Sequence, residues 1–231
     1  MKIGIIGAGQ IGGTLTRRLS QLGHEVLVAN SRGPSSITAL AKETGAKAVT
    51  VQEAARAGNV VIVSIPEAKI RNLPTNLFEG VPGDVVVIDT GNYYPRERDG
   101  RIDEIEIGMP ESRWVEKQLG RSVVKAFNTM NYKHLLELGR SAGAPGRLAL
   151  PVAGDDARAK QVVLQLLNEL GFDGVDDGGL DDSWRQQPGT PVYDKKLDSV
   201  GVRHALAEAR KDRLPQWRAA ENTPGRFAQR A

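Results

Sequence analysis

Cysteine is absent from the 231 residues. Its absence excludes disulfides, thiolate nucleophiles, Cys-ligated zinc and iron–sulfur clusters together. Aromatic side chains are scarce at 5%, which, beside the many glycines, favours a chain rich in tight turns over one packed around rings. No apolar run approaches the roughly 20 residues of a membrane-spanning helix. Lys2 opens a short apolar stretch broken by glycines, without a cleavage-like site, so no signal peptide is expected and a cytoplasmic protein is. Only three histidines occur. No His/Asp/Glu cluster has metal-ligand spacing and no G-x-S-x-G turn is present, which leaves metal centres and hydrolase triads without support.

A basic surface is also missing from most of the chain. Residues 1–192 carry 22 Lys and Arg against 23 Asp and Glu, and residues 193–231 carry 9 against 5. The excess cations therefore sit in the tail, without interleaved aromatics, and a nucleic-acid partner is not expected.

What is present is glycine, 26 residues, and a 40% hydrophobic fraction, enough for one large domain with a small appendage. Strands are expected at Lys2–Ile6, Glu25–Ala29, Val49–Val51 and Asn59–Ile65, alternating with helices at Gly12–Leu22, Ser36–Thr44 and Gln52–Ala57. The continuous runs Val60–Val63 and Val85–Ile88 suit parallel strands covered on both faces. The fold class is thus α/β, a Rossmann-type doubly wound, mostly parallel sheet. Ser122–Phe127, Arg147–Ala153 and Phe172–Val175 continue it as strands, with a helix at Asp155–Leu170. We divide the chain into a nucleotide-binding domain, residues 1–178, and a C-terminal arm with a charged helix, residues 179–231, the helix covering Asp198–Leu214.

Gly7-Ala8-Gly9-Gln10-Ile11-Gly12 matches G-x-G-x-x-G between a strand and a helix. Gly7 permits the tight turn, Gly9 lets a pyrophosphate approach the backbone, and Gly12 lets the helix pack closely on the strand. The helix N-terminus offers free N–H groups to the phosphates. Where an NAD site would carry Asp or Glu at the end of the second strand, this chain has Asn30-Ser31-Arg32. Arg32 can pair with a 2′-phosphate that a carboxylate would repel, which indicates NADP(H). The carboxyl ends of later strands should ring the nicotinamide with Ser64, Ile65, Pro66, Thr90, Ala126 and Asn128. Each of these also has a reading as ordinary strand-exit turn chemistry. His134 is a weak candidate for a proton donor and reads more readily as a helix-surface side chain; no other catalytic side chain stands out.

The segments IGIIGAGQIG, VANSRGP, VVIVSIP, KAFNTM and PVAGDD, in that order, resemble the deazaflavin (coenzyme F420)-dependent NADP oxidoreductase family. Gly178–Arg185 and Gly189–Pro191 are similar to the family's closing segment, so the resemblance covers roughly residues 1–193; the tail beyond has no counterpart there. The resemblance implies that Ala8, Gly9, Gln10 and Ile11 hold the phosphates, that Ser31 and Arg32 contact the 2′-phosphate, and that Ile65 and Ala126 lie near the nicotinamide. It implies hydride transfer between NADPH and a deazaflavin, with a flavin or similar planar acceptor as variants, aligned by the protein. Two alternatives stay open: a small imine or hydroxyacid-type reductase, for which a full helical C-terminal domain is lacking, and an NADP(H)-sensing protein without turnover. The narrow apolar stripe Val202, Leu206 and Ala209 cannot stabilise a helix alone. The helix must lie on its own domain or on a partner. A homodimer is expected, with residues from about 180 onward supplying much of the interface and one wall of a cleft for a small-molecule acceptor, and a monomer with the tail folded back is the alternative.

Overall fold

The computed structural model describes residues 1–220. Its elements follow one another as β1 (Lys2–Ile6), α1 (Gln10–Gln21), β2 (Glu25–Ala29), α2 (Thr38–Thr44), β3 (Lys47–Ala48), α3 (Val51–Ala55), β4 (Val60–Val63), α4 (Glu67–Ile70) and β5 (Val86–Asp89). Then come α5 (Asp103–Glu106), α6 (Glu111–Leu119), β6 (Val124–Lys125), α7 (Tyr132–Glu137), β7 (Ala149–Val152), α8 (Ala157–Leu170), β8 (Asp173–Asp176) and α9 (Ser199–Ala207).

Six strands form one parallel sheet in the order β3-β2-β1-β4-β5-β6. This is the doubly wound arrangement whose chain reverses direction across the sheet between β1 and β4. The strands are apolar on both faces because both are covered. Ile3, Ile5, Val26, Val28, Val60 and Ile62 pack with Leu15 and Leu19 of α1 and with Val163, Leu166 and Leu170 of α8. The alternate residues Ile6, Val61, Val63 and Val87 meet Ala54, Ile70, Trp114 and Val115 on the other side.

Four expectations need correction. The third strand is Lys47–Ala48, not Val49–Val51, because Thr50 caps α3: its side chain accepts from Glu53 N while Glu53 Oε2 accepts from Thr50 N. Strand β6 is two residues long rather than Ser122–Phe127, since Phe127 turns the chain at φ +67°. The strands β7 and β8 do not extend the main sheet but form a separate parallel pair. An antiparallel bridge between Lys125 and Ala153, with N–H···O distances of 2.8 and 3.1 Å, ties that pair to β6.

The tail helix is the fourth. It spans Ser199–Ala207 instead of Asp198–Leu214, with Asp198 as its cap. Val202, Ala205 and Leu206 are buried against Ala149, Val175 and Val192, so the stripe offered to a second copy is covered by the chain's own small sheet. Of the expected extension, residues 221–231 lie outside the described part. Among the described residues no helix is long and apolar enough to cross a membrane.

Candidate functional site

The glycine turn lies at the carboxyl end of β1. Gly7 sits at φ +116°, and a β-carbon there would stand 2.1 Å from the Ser64 carbonyl oxygen. One at Gly12 would stand 1.9 Å from the Gly7 carbonyl oxygen. Both glycines are required by packing. Gly9 differs, since a β-carbon there meets nothing within 4 Å: it faces open space where a ligand's phosphates can reach the backbone. No side chain caps α1 and no acidic residue stands in its first turn, so its amide N–H groups and positive end are left to an anion. Ala8, Gln10 and Ile11 complete the turn around that opening.

At the end of β2 the loop is braced by Asn30, whose Oδ1 accepts from Arg32 N at 3.0 Å and from Ser36 Oγ at 2.9 Å. This brace leaves the Asn30 amide to donate. Arg32 is exposed, and no carboxylate pairs with its guanidinium among the described residues. A hollow of about 560 Å³ opens against the same loop, lined by its Asn30, Ser31, Gly33 and Pro34 and by Ile65, Pro66 and Lys69, with Arg32 itself outside the lining. Lys69 was not expected from sequence. It stands in the first helix after β4, and puts a second cation beside the Asn30–Gly33 loop.

The exits of β4, β5 and β6 supply the next part of the cleft. Ser64, Ile65 and Pro66 line a hollow of about 290 Å³ with Gly9, Thr90 and Arg98. A second hollow of about 170 Å³, lined by Asn128, Met130, Tyr193 and Asp194, shares Gln10, Ile11, Thr90, Asn92 and Tyr94 with the first. The two therefore adjoin. Thr90 is held in place by donating its hydroxyl to Val63 O at 3.3 Å. Asn128 donates to Asn92 Oδ1 at 3.0 Å and to Gln186 O at 2.7 Å, while its own Oδ1 is buried without a partner. Asn128 lines the smaller hollow, and an unpartnered amide oxygen suits an amide N–H of a ligand. Two non-glycine residues adopt left-handed backbone here, Phe127 and Asp194, a strain that concentrates at ligand sites.

Ala126 and His134 stand apart from the strand-exit hollows. Ala126 is fully buried, bonded through its N–H to Asp89 O, and lines neither hollow; it supports the floor. His134 is half-buried on α7 and is also absent from both linings. Proton donation from His134 therefore has no geometric support.

Beneath the floor lies a set of buried charges. Lys125 and Asp89 are 0% and 1% exposed, with Lys125 Nζ 3.1 Å from Asp89 Oδ2 and 2.5 Å from Gly91 O. Ser112 Oγ and the amide of Gly91 also donate to Asp89, at 2.6 and 2.8 Å. Burial opposes the Lys125 charge, but the adjoining Asp89 carboxylate favours it and the ammonium pKa is pushed up. Glu67 is fully buried with neither oxygen hydrogen-bonded. Burial, reinforced by the Asp89 charge, raises its carboxyl well above the usual range and favours the protonated form. These side chains fix the strand exits from below.

Comparison with known proteins agrees with this geometry. Residues 2–93 match the model of the NADP oxidoreductase, coenzyme F420-dependent family. The Escherichia coli K12 protein YjhV is 43% identical over 82 residues, which is 34% of this chain and 60% of that protein. The crystal structure of Sinorhizobium meliloti SMa0349 is 31% identical with a TM-score of 0.72, covering 85% of this chain and 95% of that one. A candidate F420-dependent NADP reductase from Arthrobacter sp. FB24 is 26% identical with a TM-score of 0.65, covering 78% and 86%. With a glycine turn open to phosphates, an arginine in place of the ribose-binding acid and these likenesses along most of its length, the chain belongs to the coenzyme F420-dependent family of NADP oxidoreductases.

Proposed function

We propose that this protein transfers hydride between NADPH and a deazaflavin, a flavin or a similar planar acceptor. The observation that carries the cofactor choice is Arg32, exposed and unpaired by any described carboxylate, in the loop after β2 that borders a hollow of about 560 Å³. Gly7–Gly12 would hold the pyrophosphate, Ser31 and Arg32 the 2′-phosphate, and Asn128 Oδ1 the nicotinamide carboxamide. NADPH, when bound, supplies the hydride from its nicotinamide ring. The protein's own contribution is positioning: Ile65 and Thr90 set the ring's place, and the adjoining hollow admits the acceptor against it.

The family supports the deazaflavin as acceptor. The test is loss of NADPH absorbance with coenzyme F420 and, separately, with FMN. Turnover with either supports the reading. Tight NADPH binding without turnover of any acceptor would instead make the protein a sensor. The homodimer expected from sequence is a matter for light scattering of the full chain. Its principal argument weakens, because Val202, Ala205 and Leu206 lie on the chain's own small sheet.

A further inference from the structure

The acceptor side of the cleft is walled by two tyrosines distant in sequence. Tyr94 leaves β5 on the loop that follows Asn92, and Tyr193 follows the turn Gly189-Thr190-Pro191. Their hydroxyls share a hydrogen bond, and both side chains line the smaller hollow. Burial raises both phenol pKa values, so both stay protonated at neutral pH. A pair joined by one hydrogen bond uses one O–H between its members and leaves the other to donate elsewhere.

Trp217 stands behind the pair, with its ring centroid 6.1 Å from that of Tyr94 and 5.9 Å from that of Tyr193. It is seated on Gly189, where φ is +90° and a β-carbon would come within 2.4 Å of Trp217 Cδ1. The segment carrying Trp217 is tied down on both sides. Arg96, two residues after Tyr94, donates to Pro215 O at 2.7 Å and to Arg218 O at 2.8 Å. Arg213 donates to the buried Glu111 at 2.5 Å and to Gln187 Oε1 at 3.0 Å. One strap thus holds the loop of Tyr94 and the turn of Tyr193 together.

We infer that Tyr94 and Tyr193 form the acceptor-recognising wall: the spare phenolic O–H donates to a carbonyl oxygen or ring nitrogen of a planar heterocycle lying on the nicotinamide, and Trp217 is the positioning residue that fixes the pair. This rests on the hydride-transfer reading and adds what selects its second substrate. It also gives the tail beyond Tyr193 a role in discrimination between acceptors, one that residues 2–93 could not supply.

The test uses three variants of the full chain. Tyr193→Phe removes one hydroxyl and keeps the ring, Trp217→Leu removes the backing ring, and Trp217→Phe keeps an aromatic there. NADPH affinity is read by nicotinamide fluorescence, and KM and kcat are read separately with coenzyme F420 and with FMN. The expected result is a rise in acceptor KM of roughly three- to tenfold in Tyr193→Phe and Trp217→Leu, the range one hydrogen bond supports. NADPH affinity and kcat should stay within about twofold, and Trp217→Phe, which keeps an aromatic ring there, should hold KM near the parent's. Parental KM in Tyr193→Phe, with turnover intact, overturns the wall while leaving the hydride-transfer reading in place. Loss of NADPH affinity in step with KM in Trp217→Leu overturns the positioning role and makes the strap a support of the whole fold. A parent chain that binds NADPH but reduces neither probe overturns the acceptor reading and the wall with it.

Discussion

A β-carbon on Gly12 would lie 1.9 Å from the carbonyl oxygen of Gly7, although one on Gly9, only three residues earlier, would touch nothing within 4 Å. The two glycines of one motif therefore do different work. Gly12→Ala forces backbone against backbone and should lower stability by about 1–3 kcal/mol in urea unfolding, as overpacking does. Gly9→Val should unfold at the parent's urea midpoint yet lose NADPH binding, because the side chain fills the space the pyrophosphate needs. Normal NADPH affinity in folded Gly9→Val would reduce the motif to a turn.

Arg32→Ala should narrow the preference for NADPH over NADH by about ten- to a hundredfold, the value of one charge-assisted pair, and leave NADH affinity nearly unchanged. Lys69→Ala should weaken NADPH binding less, since Lys69 lines the hollow against the Asn30–Gly33 loop but belongs to a different segment from Ser31 and Arg32. Titration of both nucleotides against each variant decides this; equal affinity of the parent for both would remove the assignment.

Lys125→Met should destabilise the protein by about 3–5 kcal/mol, the cost of leaving a buried partner charge uncompensated. Asp89 is that partner, held also by Ser112 Oγ and Gly91 N. Adding Asp89→Asn to Lys125→Met should recover part of the loss, which a double-mutant cycle in urea would measure.

Asp177 supplies a pH dependence. Burial raises its carboxyl to about 7, more than the nearby Arg185 lowers it. Below the ordinary aspartate range both folded and unfolded chains hold this proton, and the contribution to stability is complete. As pH climbs toward 7 the unfolded chain has lost the proton that the folded chain keeps, so stability falls. The slope from this single group is up to about 1.4 kcal/mol per pH unit. Asp177→Asn should flatten urea stability over that window and gain relative to the parent at pH 8. Parallel curves for the two proteins would show that Asp177 titrates normally.

Much of the first half was legible in sequence because its signals are local. The runs Ile3–Ile6 and Val60–Val63 declare strands buried on both faces, and the glycine turn states its own packing needs. The Thr50–Glu53 capping box was equally visible, but three consecutive strand-forming residues, Val49 to Val51, concealed it. The second half depends on distant partners. Nothing near Ala149–Val152 reveals that it leaves the main sheet; the bridge from Ala153 to Lys125 decides that. The charges below the cleft were unreadable for the same reason, as Glu67, Asp89 and Lys125 come from three different strand exits. Tyr94 and Tyr193, 99 residues apart, carry no pattern that joins them.

The bonds from Arg96 to the strap span 119 and 122 residues, whereas the glycine turn closes onto Ser64 within the first third of the chain. Contacts of long sequence separation form late, and domains emerging from a ribosome organise from the N-terminus. During synthesis the phosphate-binding turn can close while the strap is still untranslated. A growing chain thus holds every residue of the proposed phosphate turn well before it holds the wall proposed to select the acceptor.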